Sequence, residues 1–119
     1  MPFDWNGYLA LATSLTQGGA PSNQEAALRS AISRAYYAAF CHVRNYARDQ
    51  HGFSPGYTAD DHQQVRDHYR TRGQNDVARR LNQLRQWRNT CDYTDTVYNL
   101  PFISARAIAE AQQIFDTLI

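Results

Sequence analysis

Residues 22–50 read SNQEAALRSAISRAYYAAFCHVRNYARDQ, and this stretch decides the fold. Ser22 and Glu25 stand at capping-box spacing, in which each side chain satisfies a free backbone amide of the other residue, so a helix is predicted to open here. From Leu28 the apolar positions recur at Ile32, Ala35, Tyr36, Ala39, Phe40, Val43, Tyr46 and Ala47, the spacing of one helical face. No glycine or proline interrupts before Gly52. The prediction is a helix of about thirty residues, about 45 Å long at 1.5 Å per residue. Its alanines, Ala26, Ala27, Ala31, Ala35, Ala38 and Ala39, would let neighbouring helices approach closely along much of that length.

Outward from this segment the pattern stays helical. Trp5, Tyr8, Leu9, Ala12 and Leu15 predict a shorter amphipathic helix ended by Gly18-Gly19. Thr58-Ala59-Asp60-Asp61 predicts the cap of a polar helix running to about Arg72, stopped by Gly73. A fourth helix starts near Asn75 with Val77, Leu81, Leu84 and Cys91 on its core face. Pro101 opens a fifth, with Ile108, Ala111, Phe115 and Leu118 inward. No segment alternates with period two long enough for a strand. The expected fold is therefore all-α, an antiparallel bundle of about five helices around one long central helix, and 119 residues fit a single domain, 1–119.

Composition narrows the function classes. With 43% apolar residues, no apolar run approaching the ~18 residues of a membrane span and no basic leader, neither a transmembrane helix nor a secretory signal is expected, and a cytoplasmic protein is. All twelve cations are arginine, against eleven acids and a formal charge of +1. The lack of lysine excludes Schiff-base chemistry and the usual phosphate-loop lysine. Every cation is a planar fork suited to phosphate or carboxylate. Cys41 and Cys91, far apart on helical segments, read as buried small hydrophobes. His62 and His68, six residues apart, match one helical face poorly, so neither a metal nor another cofactor is expected.

The fourth helix breaks its own pattern. After Val77, Leu81 and Leu84 the next inward position is Arg88, with Cys91 resuming the stripe. Desolvating a guanidinium is unfavourable by several kcal/mol unless an anion meets it. Arg88, Asn89, Asp92 and Tyr93 thus form a candidate polar site. Two readings stay open: an intrahelical Arg88–Asp92 pair that tidies the helix end, or a functional anion site. Between residues 66 and 88 there are seven arginines against two acids, with Tyr69 and Trp87 interleaved and Tyr93 just beyond. Arg80, Arg85 and Trp87 are accordingly candidates for gripping a phosphate backbone and stacking bases.

LRSAISRAYYAAFCHVRNY from Leu28 to Tyr46 and LRQWRNTCDYTD from Leu84 to Asp95, within a five-helix order, resemble the HEPN domain family. The resemblance implies homodimers whose arginine-bearing helices face each other across a shared cleft. It also implies metal-independent ribonuclease activity on RNA, in toxin-antitoxin or defence systems, often beside a nucleotidyltransferase-like antitoxin. Nucleotide binding is a further implied role, and Arg34 would reach the same cleft from the long helix.

The family signature is an arginine, a polar residue, and a histidine roughly four to six residues further on. Arg88 and Asn89 match its first half, but positions 93–95 hold Tyr93, Thr94 and Asp95. Arg44-Asn45 with His51 meets the spacing on the wrong helix and is read as a coincidence. Metal-free RNA cleavage needs two proton transfers at neutral pH, which a histidine near about 6.5 can perform. An aspartate near about 3.9 is a poor acid there, and a tyrosine near about 10 a poor base. The expectation is an RNA- or nucleotide-binding protein with ribonuclease activity weak or lost. The alternative is a non-catalytic interaction module that docks on a nucleotidyltransferase-like or other partner, with Arg88 and Asp92 locking the fold. Tyr36 and Tyr37 are expected in the core or a dimer interface, and His42 reads first as a hydrogen-bonded structural histidine and second as the one imidazole within reach of Asp92.

Overall fold

The computed structural model describes residues 2–18 and 23–119, all of whose regular structure is helical. Five helices follow in order: α1 (Asn6–Thr16), α2 (Gln24–His51), α3 (Asp61–Thr71), α4 (Asn75–Tyr93) and α5 (Leu100–Thr117). The Ser22 half of the predicted capping box lies outside the described residues. At 28 residues α2 is about 42 Å long, close to the 46 Å long axis of the molecule.

The central position of α2 follows from its small side chains. Ala31, Ala35, Ala38, Ala39 and Ala47 are fully buried, and α1, α3, α4 and α5 all pack against it. Between these close approaches Ile32, Tyr36 and Val43 fill the core with Leu81 and Leu84 of α4 and Ile114 of α5. Ala26 and Ala27, nearer the start of the helix, remain outside this core. Tyr36 is a core residue, only 1% exposed, whereas Tyr37 is half-buried beside it. Both cysteines are buried free thiols.

Two features at the ends of α3 and α4 position the site. Gly73, with φ of 77°, closes α3 by donating to the Arg70 carbonyl while Gln74 donates to that of Tyr69. These two bonds form a Schellman turn that lets α4 double back against α3. At the far end of α4, Arg29 of α2 donates to the carbonyls of Cys91, Thr94 and Asp95 at 2.8, 2.7 and 2.9 Å. Those carbonyls have no partner inside the helix, so one fork from α2 holds the terminus that carries Arg88 and Asp92.

Two sequence expectations are corrected in detail. Asp60 does not cap α3 with its side chain; the carboxylate of Asp61, only 2% exposed, instead accepts from the Gly56 and Tyr57 amides. Tyr57 sits at φ of 56°, a strained conformation held by that bond. The buried face of α5 is rotated slightly from the predicted one: Ala107, Ala111, Ile114 and Leu118 are buried, while Ile108 and Phe115 are half-buried at its edge. As expected, the first helix ends just before Gly18, at Thr16 with Gln17 as its C-cap, while Gly19 lies outside the described residues.

Candidate functional site

Arg88 lies half-buried, with its side chain 21% exposed, at the margin of the core stripe of α4. Its Nε is 2.9 Å from Asp92 Oδ2, but no N–H points along that line, and its Nη1 donates to Asn89 Oδ1 at 3.0 Å. The guanidinium also stacks over the rings of Tyr37 and Tyr93, 5.2 and 5.7 Å from their centroids. Arg88, Asn89, Asp92 and Tyr93 therefore do assemble into one group. Tyr93 is mostly in solvent, 76% exposed.

A larger constellation surrounds that group from α2 and α3. His62 and Arg66 stand one turn apart on α3, and Arg85 faces them from α4 across a cleft of about 410 Å³. Arg66 is 7% exposed and donates to the backbone carbonyl of His62 at 2.9 Å. Among the described residues, neither Arg66 nor Arg85 has a carboxylate partner. The Nε atoms of Arg66, Arg85 and Arg88 are all buried without an acceptor. Burial, followed by the nearby Arg85 cation, lowers the pKa of Arg66, yet an arginine stays charged at neutral pH.

His62 is fixed by its neighbours. Its ring stacks on Phe40, 4.1 Å between centroids, and its Nδ1 pairs with the Tyr36 hydroxyl. Burial raises the pKa of that phenol well above the usual tyrosine range, against the pull of Arg66, Arg85 and Arg88, so the hydroxyl keeps its proton. Burial and then Arg88 and Arg66 lower the pKa of His62, which is neutral at pH 7. A neutral imidazole that accepts at Nδ1 carries its proton on Nε2.

Other predicted residues lie elsewhere. Arg80 and Trp87 occupy the opposite margin of α4, in a groove of about 720 Å³ against α5. There Arg80 pairs with Glu110, which Arg106 also holds at 3.0 Å, so Arg80 is already neutralised. Arg34 is exposed, with its guanidinium over the Tyr8 ring of α1, and borders a smaller groove shared with Asp92. His42 is the hydrogen-bonded histidine expected first: its Nε2 pairs with the Leu118 carbonyl at 2.6 Å, its ring stacks on Phe115, and it does not approach Asp92. His51 pairs with His68, 3.0 Å between ring nitrogens, and Arg44 stacks over Trp5, Phe40 and Tyr57. The Arg44-Asn45 spacing to His51 is met in sequence alone.

Sequence reasoning missed His62, Arg66 and the hydroxyl of Tyr36. A signal existed: His62, Val65, Arg66 and Tyr69 share one face of α3, and two of the four, His62 and Arg66, are an imidazole and a cation where apolar residues belong. No family model matches the chain, and no curated protein or solved structure matches it.

Proposed function

We propose that this protein binds RNA or a nucleotide through phosphate, in the arginine-lined cleft between α3 and α4. The observation that carries the reading is Arg66, a residue only 7% exposed, with neither it nor Arg85 meeting a carboxylate among the described residues. A chain gains nothing in stability from a buried cation without an anion, so the missing partner belongs to a ligand. Phosphate suits the geometry of arginine forks, and the tyrosines and Arg88 beside the cleft suit a nucleic acid. The HEPN resemblance fits this reading. It adds a homodimer of toxin-antitoxin or defence type, a nucleotidyltransferase-like antitoxin as partner, and ribonuclease activity weak or lost because the motif histidine is absent.

Fluorescence anisotropy with a short labelled single-stranded RNA tests it, with chelator present. Arg85→Ala and Arg88→Ala should each weaken binding and lower the slope of log affinity against log salt by about one, while the size in solution stays that of the wild type. Unchanged affinity and slope in both variants would refute the cleft assignment. The interaction-module reading has one observation in its favour: Arg88 already has Asp92, Asn89 and two aromatic rings around it. Under that reading Arg88→Ala lowers the melting temperature and leaves RNA binding untouched.

A further inference from the structure

The chemistry of the cleft narrows its ligand, on the premise that it binds phosphate at all. A backbone diester offers one negative charge and two unbridged oxygens. A terminal monoester offers three oxygens and a charge approaching −2 at neutral pH, because its second pKa is about 6. Arg66 and Arg85 line the cleft, and neither meets a carboxylate among the described residues. The His62 imidazole lines the same cleft. Asp92 offsets the Arg88 charge, which leaves Arg66 and Arg85 as two uncompensated cations. Two uncompensated cations match the dianionic monoester rather than the singly charged diester.

The walls point the same way. Asp60 and Asp67 also line the cleft, and both are exposed, whereas Arg66 lies buried beyond them. Asp67 is held by Arg70 at 2.9 Å. A strand threading the cleft would carry further phosphates past these carboxylates. A strand end would not.

We propose that the α3–α4 cleft is a seat for a phosphate monoester, either the terminal phosphate of an RNA strand or that of a mononucleotide, in preference to a backbone diester. His62 links the site to pH. The groups facing its ring are Tyr36 and Tyr37 from α2, Asp61 and Arg66 from its own helix, and Arg85 and Arg88 from α4. Asp61 is occupied by the Gly56 and Tyr57 amides, so the balance around the imidazole is cationic until an anion arrives. A seated dianion reverses that balance and draws a proton onto His62. Affinity should therefore rise as pH falls from 8 towards 6.5, with proton uptake on binding.

Competition against a labelled RNA tests this. The competitors are one short RNA with a 5′-phosphate, with a 3′-phosphate, or with hydroxyls at both ends, together with AMP and inorganic phosphate. The expected result is that a phosphorylated end binds at least about tenfold tighter than the hydroxyl-ended strand, the gain of roughly one charge-assisted contact. AMP matching the phosphorylated strand would identify a mononucleotide ligand. A strand far tighter than AMP would identify an RNA end. Arg66→Gln and Arg85→Gln should each erase the preference, and the half-buried Arg85 serves as the test if Arg66→Gln fails to fold. His62→Gln should keep the preference at pH 8 and flatten the pH dependence below it. Equal binding of phosphorylated and hydroxyl-ended strands, both lost in Arg85→Gln, would overturn the monoester seat while leaving a phosphate-binding cleft in place. Failure of every competitor and of the labelled RNA to bind would overturn both.

Discussion

Arg66→Met separates a cation kept for a ligand from one kept for the fold. The methionine retains an apolar stem of similar length in the space that leaves Arg66 only 7% exposed, so little packing is lost. The substitution removes one bond, from Arg66 to the His62 carbonyl, whose charge-assisted class contributes about 1.5–3 kcal/mol. It also relieves a buried Nε without an acceptor, worth about 1–3 kcal/mol, and the repulsion from Arg85. The two sides nearly offset, and the expected change in stability is within about 1 kcal/mol of zero. A buried arginine locked to a structural carboxylate behaves otherwise, because breaking such a pair destabilises by about 3–5 kcal/mol. Urea unfolding followed by circular dichroism resolves the difference as a shift of midpoint at constant slope. Repeating it with a phosphate monoester at ten times its dissociation constant should stabilise the wild type by about 1.4 kcal/mol and the variant not at all. A loss above about 3 kcal/mol without ligand, or equal stabilisation of both proteins by the ligand, would refute the reasoning.

Three further outcomes are expected. Arg29→Met should destabilise by about 2–3 kcal/mol, since it removes the fork that holds three carbonyls at the end of α4, and hydrogen exchange should show residues 91–95 fraying first. Gly73→Ala should destabilise by about 1–2 kcal/mol, because φ of 77° is left-handed backbone that an alanine resists, and a melting curve measures it. Burial lowers the pKa of His51, His62 and His68 below their ordinary 6.5, so the unfolded chain binds more protons than the folded one on the acid side. Stability should be full above about pH 6.5 and fall as the pH drops below it, most through the half-buried His62. A stability that is flat between pH 7.5 and 5.5 would contradict this.

The helices were legible because each carries its own evidence. The alanine and tyrosine periodicity of α2, the stop at Gly73 and Pro101 at the start of α5 are local signals, and the structure places helix ends close to them. Arg88 was legible for the same reason, as a cation in an apolar stripe. Arg66 and His62 obey that same rule on α3, but α3 is so polar overall that its buried face, with only Val65 and Tyr69 apolar, is hard to pick out. Their meeting with Arg85 is not local at all: it depends on which margin of α4 turns towards α3 after the Gly73 reversal. The same geometry sent Arg80 and Trp87 to α5, where a glutamate 30 residues further on neutralises the arginine. Periodicity locates a face but does not say which neighbour covers it.

One consequence follows from the reach of α2. Since a single unbroken helix touches every other one, inserting or deleting one residue near its middle would turn everything beyond that point by about 100° relative to what precedes it. The half that carries Arg29 would then no longer be in phase with the half that carries Phe40 and Val43. A one-residue insertion should therefore be far better tolerated in a connecting turn than in α2.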